Sequence, residues 1–343
     1  MINVEEIDCS SEIFGCHTSF PLGFAPAAMH SLAHEDGEVA TSRAAAKFGV
    51  CMALSMYATA SIEDVTAQAR HNPYVVHLGG LRDRGNAKQL LRRAEGMFAY
   101  LQQGKLSPTI VDIIYLVVPE TGCKAVFLSV DTPQIGRRLN EQRNHFAPPR
   151  GTSWPNVVPT GTNGTRLADD PGEAPGTRDL DPSLSWERTI PWLRQHTKLQ
   201  LWIKGICTAE DVELAIKHGV DGIIVSNHGG RQLDSVPSTL DMLRECTIAA
   251  ENKIPVAVDG GIRRGTDIFK AIAMGAQHCF VGRVPIWGLA VSSHLRHVTE
   301  TLRAVLPLRN MKLKTYQYNG QEGVELALDI LFNEFRLAMA LAG

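Results

Sequence analysis

The sequence predicts an α/β protein built as a (β/α)8 TIM barrel. Three observations point there. Eight short apolar runs recur along the 343 residues, helical patterns separate them, and the runs are apolar throughout rather than alternating. Strands of that kind are buried on both faces, as in parallel sheets, and eight strand–helix units suit a closed barrel of this length. An open doubly wound sheet shares the pattern and is the competing architecture.

The runs are Pro21–Ala28, Cys51–Ser55, Tyr74–Gly79 and Ala125–Asp131, then Leu199–Ile206, Gly222–Asn227, Pro255–Asp259 and His278–Gly282. Helices are expected over Gly37–Phe48, Ala209–His218 and Thr266–Met274. The second follows Thr208 and the third opens at Gly265-Thr266, both with acidic residues in the first turn. Residues 150–185, rich in proline, glycine, threonine and aspartate, predict a long mobile loop between strands four and five, a lid or a disordered connection.

Composition narrows the function classes. Charged residues make up 20% and the formal net charge is −2, which gives no footprint for nucleic acid or an anionic membrane. Seven cysteines without a CxxC pair or zinc spacing read as reduced thiols, and no metal site is expected. The first twenty residues lack a secretory pattern, no apolar stretch approaches a membrane span, and the Leu-Ala-Gly end is not an SKL-type tail. A cytoplasmic protein is expected.

In a barrel, chemistry gathers at the C-terminal strand ends. Strand six ends in Ser226-Asn227-His228-Gly229-Gly230-Arg231. A lone loop histidine is ordinarily structural, but a guanidinium three residues on can grip a carboxylate, and a base beside a carboxylate clamp suits removal of a proton from a 2-hydroxy acid. Asp131, at the end of strand four, reads by itself as a turn or cap residue; beside His228 it would orient the imidazole. Lys204 interrupts the apolar run of strand five, where packing does not explain it, and so faces an anionic partner. Asp259-Gly260-Gly261-Ile262-Arg263 and Gly282-Arg283 follow strands seven and eight, the usual position of a barrel's phosphate site.

At these residues the sequence resembles the FMN-dependent 2-hydroxy-acid oxidase and dehydrogenase family, which includes glycolate oxidase, lactate oxidase and flavocytochrome b2. The motifs are SNHGGRQLD (226–234), DGGIRRGTDIFKAIAMGA (259–276), PLGFAPAAMHSLAHEDGE (21–38) and VDTPQIGRR (130–138), and the similarity covers most of 7–95, 120–290 and 318–343. The resemblance implies FMN held by Pro26, Ala27, Ala28, Ser55, Ser129, Lys204 and Ser226, with its phosphate on Asp259, Gly260, Gly261, Arg263, Gly282 and Arg283. It also implies that Lys204 stabilises the reduced flavin, that His228 takes a proton with Asp131 as its partner, and that Arg138 and Arg231 hold the substrate carboxylate. The implied reaction oxidises a small L-2-hydroxy acid (glycolate, lactate or a longer one) to the 2-oxo acid. Reduced flavin then passes electrons to oxygen or another acceptor. A homo-oligomer is implied as well.

The chain departs from the family pattern in four ways. His77-Leu78-Gly79 stands where members carry Gln-x-Tyr, so His77 takes the glutamine's flavin-side position and the tyrosine is gone; Tyr57 replaces a common tryptophan on the substrate wall. The chain is shortened at its N-terminus, where members place several helical turns and a substrate tyrosine before the segment matching Val4-Glu5-Glu6-Ile7-Asp8. Finally, Gly96–Pro119 and Val291–Gln317 interrupt the alignment. Both read as translated introns, because their borders can be encoded by donor-like and acceptor-like signals and excision restores RRAEETGCKAVFL and IWGLAYNGQEGVEL. Two genuine surface insertions are the plainer alternative, and a mature transcript containing both segments would decide for it. These departures also motivate a second reading, a catalytically impaired or misassembled chain that at most binds FMN. A third, isomerisation of a diphosphate on an FMN barrel, is opposed by the two arginines beside His228.

Overall fold

The computed structural model describes residues 4–69, 71–96, 122–158, 166–167, 179–291 and 320–343. Eight parallel strands form a closed barrel in chain order: β1 (Leu22–Phe24), β2 (Cys51–Leu54), β3 (Tyr74–Leu78), β4 (Ala125–Ser129), β5 (Gln200–Ile206), β6 (Gly222–Val225), β7 (Val256–Asp259) and β8 (His278–Val281). Closure runs through β8 and β1, where Cys279 pairs with Leu22 and Val281 with Phe24. This removes the open doubly wound alternative. Each strand lies within the run or one residue of the span expected from sequence.

The strands read as uniformly apolar because both faces are buried, against different neighbours. One set of side chains points inward: Ala25, Ala53, Val75, Phe127, Trp202, Ile224, Ala257 and Phe280 make a separate interior cluster. The alternate set, including Met52, Val76, Leu128, Ile203 and Val258, packs outward under the helices. The inner aromatics meet edge to face, Phe127 and Phe280 at 5.2 Å between ring centres, a geometry favoured by the aromatic quadrupole. A hairpin of Ser11–Ile13 and Cys16–Thr18 closes the N-terminal end. Its turn residue Phe14, held at φ 56°, reaches Trp202 at 5.1 Å and Phe127 at 5.9 Å.

Helices surround the barrel: α1 (Gly37–Phe48), α2 (Ile62–Thr66), α3 (Arg84–Ala94), α4 (Trp186–His196), α5 (Ala209–Lys217), α6 (Thr239–Ala250), α7 (Gly265–Ala273), α8 (Arg283–Ala290) and α9 (Gln321–Ala342). Their starts follow local side-chain chemistry. Asp83, Thr208 and Ser238 each accept a hydrogen bond from the backbone N–H three residues on, satisfying an otherwise orphan donor. Helix α7 begins one residue earlier than expected: Asp267, not Thr266, secures its start by accepting from the Arg263 and Arg264 N–H groups at 3.0 Å. No described helix is long and apolar enough to cross a membrane.

Within 150–185, the described residues 153–158 are anchored on the barrel's outside. Asn156 accepts from the Ile62 N–H at 2.9 Å and donates to the Ala60 carbonyl at 3.0 Å, and Asn86 accepts from the Val158 N–H at 2.9 Å. Trp154 and Val157 are buried beside them. The two segments expected as insertions lie outside the described residues, apart from Gly96 and Val291. Their flanks are close in space. The Cys123 N–H donates to the Ala94 carbonyl at 2.7 Å, and the Gly320 N–H to the Leu289 carbonyl at 3.3 Å.

Candidate active site

The polar residues of the barrel mouth follow from strand periodicity. Side chains on a strand return to the same face every second residue. Two positions beyond each member of the apolar interior cluster comes the next inward-facing residue: Ala27, Ser55, His77, Ser129, Lys204, Ser226, Asp259 and Gly282. The apolar layer excludes water beneath, and these residues form the layer above it. A cavity of about 400 Å³ opens there, and Pro26, Ala27, Ala28, Ser55, His77, Ser129, Lys204 and Asp259 are among its walls. Ser226 is fully buried, and its Oγ accepts from two residues of that wall, Lys204 and His228.

Lys204 is the charge centre of this layer. Its Nζ lies 2.9 Å from Asp259 Oδ2 and donates to Ser226 Oγ at 2.7 Å. Burial alone would push its pKa down, but the carboxylates of Asp259 and Asp131 reverse this and raise it, so the ammonium persists. His77 differs. Burial, reinforced by the charge of Lys204, pushes its pKa down to about 3, and its Nε2 pairs with Ser129 Oγ at 2.9 Å. It is a neutral, dipolar wall residue.

His228 follows β6 with φ 56°, and Gly229 and Gly230 continue at 67° and 74°. Such a conformation is strained for a non-glycine residue and persists only where its surroundings fix it. The backbone N–H donates to Ser226 Oγ at 3.1 Å, while Nδ1 contacts Asp131 Oδ1 at 3.1 Å and Oδ2 at 3.2 Å. Burial works to raise the Asp131 pKa, yet the His228 hydrogen bond and the Lys204 charge overcome it and hold the carboxyl below its usual range. Asp131 gains its position from a bulge in β5: opposite β6 the register skips at Gly205, whose φ is 108°, and a Cβ there would lie 2.7 Å from that of Asp131.

Arg138 and Arg231 both line the cavity. They share a residue that sequence reading missed. Arg138 Nη1 stands 3.4 Å and Arg231 Nη1 3.5 Å from Glu141 Oε1. The signal was present, since Glu141 lies three residues after Arg138 and one helical turn brings such a pair together. Burial lowers the Arg231 pKa and the nearby Arg138 adds to this, while Glu141 opposes it. Two cations therefore crowd together beside one carboxylate. Tyr57 also lines the cavity and donates to Asp179 Oδ2 at 3.0 Å. Asp179 was likewise unforeseen, lying inside a stretch read only as loop, as was its neighbour Leu180 in the wall.

Gly260, Gly261, Arg263, Gly282 and Arg283 also line the cavity, and Arg283 Nη2 donates to the Gly229 carbonyl at 3.3 Å. A Cβ added to Gly261 or Gly282 would meet no atom within 4 Å, so both glycines face open space beside two guanidinium groups. Open backbone beside guanidinium groups suits an anion. Asp259 Oδ1 and His77 Nδ1 are buried without hydrogen-bond partners, which leaves one acceptor and one ring nitrogen facing the same region. The residues present thus fit FMN: an anion cradle, a buried ammonium and neutral polar groups. Among the described residues, no group of three or more His, Cys, Asp or Glu is placed to hold a metal ion.

Comparison with known proteins identifies the family. Residues 1–100 and 117–315 match the FMN-dependent dehydrogenase family, and the gap falls inside the first expected insertion. The chain is 41% identical to Oxidase FUB9 of Gibberella moniliformis over 345 residues, covering 99% of this chain and 75% of that one. It is 39% identical to 2-hydroxyacid oxidase 1 of Mus musculus, covering 99% and 79%, and 37% identical to glycolate oxidase of Spinacia oleracea, covering 100% and 79%. A crystal structure of mandelate oxidase with (S)-4-hydroxymandelic acid superposes with a TM-score of 0.78 at 33% identity, over 100% of this chain and 82% of that one. The chain belongs to the FMN-dependent dehydrogenase family.

Proposed function

We propose that this chain oxidises a small L-2-hydroxy acid to the 2-oxo acid, as an FMN-dependent (S)-2-hydroxy-acid oxidase. The observation that carries the reading is the contact of His228 with Asp131 at 3.1 Å in a cavity that Arg138 and Arg231 also line. FMN, when bound, supplies the two-electron acceptor. The substrate carboxylate binds between Arg138 and Arg231, taking over contacts now made to Glu141. That grip presents the C2 hydroxyl to His228. With Nδ1–H donated to Asp131, the lone pair of the imidazole lies on Nε2, which accepts the proton leaving the substrate. Ionised Asp131 stabilises the resulting imidazolium. Lys204, kept charged by Asp259, sets a fixed positive potential where negative charge develops. The cradle of Arg263, Arg283 and the adjoining glycines anchors the phosphate.

Oxygen is the proposed electron acceptor, supported by the relatives named as oxidases. A homo-oligomer is supported by the exposed Ile330, Leu337 and Leu341 on α9. The seven free cysteines fit the cytoplasm. A single barrel interrupted at 96–119 and 291–317 is supported by the close flanks of both segments.

The test is anaerobic absorption spectroscopy of the purified holoprotein with glycolate, L-lactate and longer or aromatic 2-hydroxy acids. The flavin band should bleach with at least one of them, and His228→Ala should retain the band without bleaching. A parent protein that holds flavin but is reduced by none of these acids would point to the impaired chain. Turnover retained in His228→Ala would refute the role given to that residue.

A further inference from the structure

The groups assigned to the reaction stand on two separate loops. Asp131 and Arg138 follow β4, whereas His228 and Arg231 follow β6. Neither half performs the chemistry alone, so something must hold the loops in register to within a few tenths of an ångström. The His228–Asp131 contact is itself one of the distances that needs fixing. Arg138 and Arg231 are like charges brought close together, with Glu141 between them the carboxylate that both contact.

We infer that Gln232 is the positioning residue that locks these two loops together. Its side-chain amide makes three hydrogen bonds, all to backbone of the β4 loop. Nε2 donates to the Asp131 carbonyl and to the Gln134 carbonyl, each at 2.9 Å, and Oε1 accepts from the Gly136 N–H at 3.1 Å. Both amide hydrogens and the carbonyl oxygen are thereby engaged, a complete match between one side chain and one turn of backbone. The first bond falls on the residue that pairs with His228, and the third on a residue two before Arg138. Gln232 itself is the residue after Arg231. One amide therefore sets the spacing of both functional pairs.

The backbones of the two loops also abut directly. A Cβ at Gly136 would collide with the Arg231 carbonyl and come within 2.7 Å of Gln232 Cα. Glycine at 136 lets the loops approach closely enough for the amide to reach across. Packing alone does not account for the contact, because Gln232 is only part-buried where it meets Asp131 and exposed where it meets Gln134.

This inference rests on the proposed oxidase reaction, and its test separates the two. Gln232→Met keeps the length and shape of the side chain but removes all three hydrogen bonds. In the FMN-loaded variant, the rate of flavin reduction at saturating hydroxy acid should fall tenfold or more, and the Kd for oxalate, a carboxylate probe of the arginine pair, should rise by a similar factor. FMN affinity and Tm should stay near those of the parent, since neither the phosphate cradle nor the barrel is touched. Gly136→Ala, which forces the same loops apart from the other side, should likewise slow reduction and weaken oxalate binding, with a lower Tm because the new Cβ meets backbone. Reduction and oxalate binding at parental values in Gln232→Met would overturn the inference. If the parent itself is reduced by no hydroxy acid, the oxidase reading fails, and crystal structures of parent and variant decide the positioning role. A His228–Asp131 contact unchanged in Gln232→Met overturns it, and a widened one supports it.

Discussion

Lowering the pH from 7 to 5 should destabilise this protein through two histidines far from each other in the barrel. His77 sits in the mouth layer and His278 at the opposite end of β8, and burial pushes the pKa of each down to about 3. Neither ring nitrogen of His278 makes a well-formed hydrogen bond, and the Leu22 backbone only partly offsets the burial. In the unfolded chain both rings take a proton near pH 6.5. Between those values the unfolded state holds the extra protons, so stability falls as pH falls and recovers as it rises. One pH unit is worth about 1.4 kcal/mol per group, so 1.5 units below 6.5 costs about 2 kcal/mol per histidine and about 4 for the pair. Any folded value well under 5 gives the same result. Against a typical total of about 5–15 kcal/mol, that is a large loss. The assay is urea unfolding at pH 7, 6 and 5 with FMN in fixed excess. His278→Leu, which does not touch the flavin cavity, should recover about 2 kcal/mol of the loss between pH 7 and 5, and adding His77→Gln about 2 kcal/mol more, any remainder falling to His30, whose pKa burial also lowers. A double variant that loses as much stability as the parent over this range would refute the reasoning.

Removing the Lys204 ammonium leaves Asp259 buried with neither oxygen paired, so Lys204→Met should cost about 3–5 kcal/mol in urea unfolding and weaken FMN binding. Lys204→Met combined with Asp259→Leu should restore part of that stability without restoring flavin binding; a double variant no more stable than the single would show that the charge is not the cause. Arg231→Lys replaces a two-pronged donor with a single point charge. It should raise the KM for hydroxy acid roughly tenfold, about 1.4 kcal/mol, with a smaller change in kcat, and steady-state kinetics over a range of substrate concentrations checks the split.

Much of the barrel was legible in the sequence because its strands are buried on both faces and its glycine and aspartate stops are sharp. The eight runs stood out as apolar blocks, and Lys204 stood out because it broke one. Ser55, Ser129 and Ser226 carry no such contrast by themselves, and they entered through family resemblance. In space they are explained by one rule, that each lies two residues beyond an inward-facing member of the apolar layer. The in-out alternation was hidden, since Met52 and Ala53 are equally apolar and face opposite ways. Contacts between loops were hidden for a different reason. Glu141 against Arg231, Tyr57 against Asp179 and Gln232 against Gly136 each join positions fixed by the closure of the barrel, and no local spacing in the chain encodes them.

The paired flanks at Ala94 and Cys123, and at Leu289 and Gly320, bear on how this gene product can vary. Where a fold holds two chain positions together, the entropy of closing a flexible connection between them grows only with the logarithm of its length, about 0.6 kcal/mol for each doubling. A change of chain length between Ala94 and Cys123, or between Leu289 and Gly320, therefore adds little closure entropy, provided the hydrogen bonds at Cys123 and Gly320 re-form. Alternative transcripts differing at these two points would share one catalytic scaffold. The same two seams offer ports for grafting a reporter or an affinity domain, with flavin reduction as the readout that the scaffold beneath has survived.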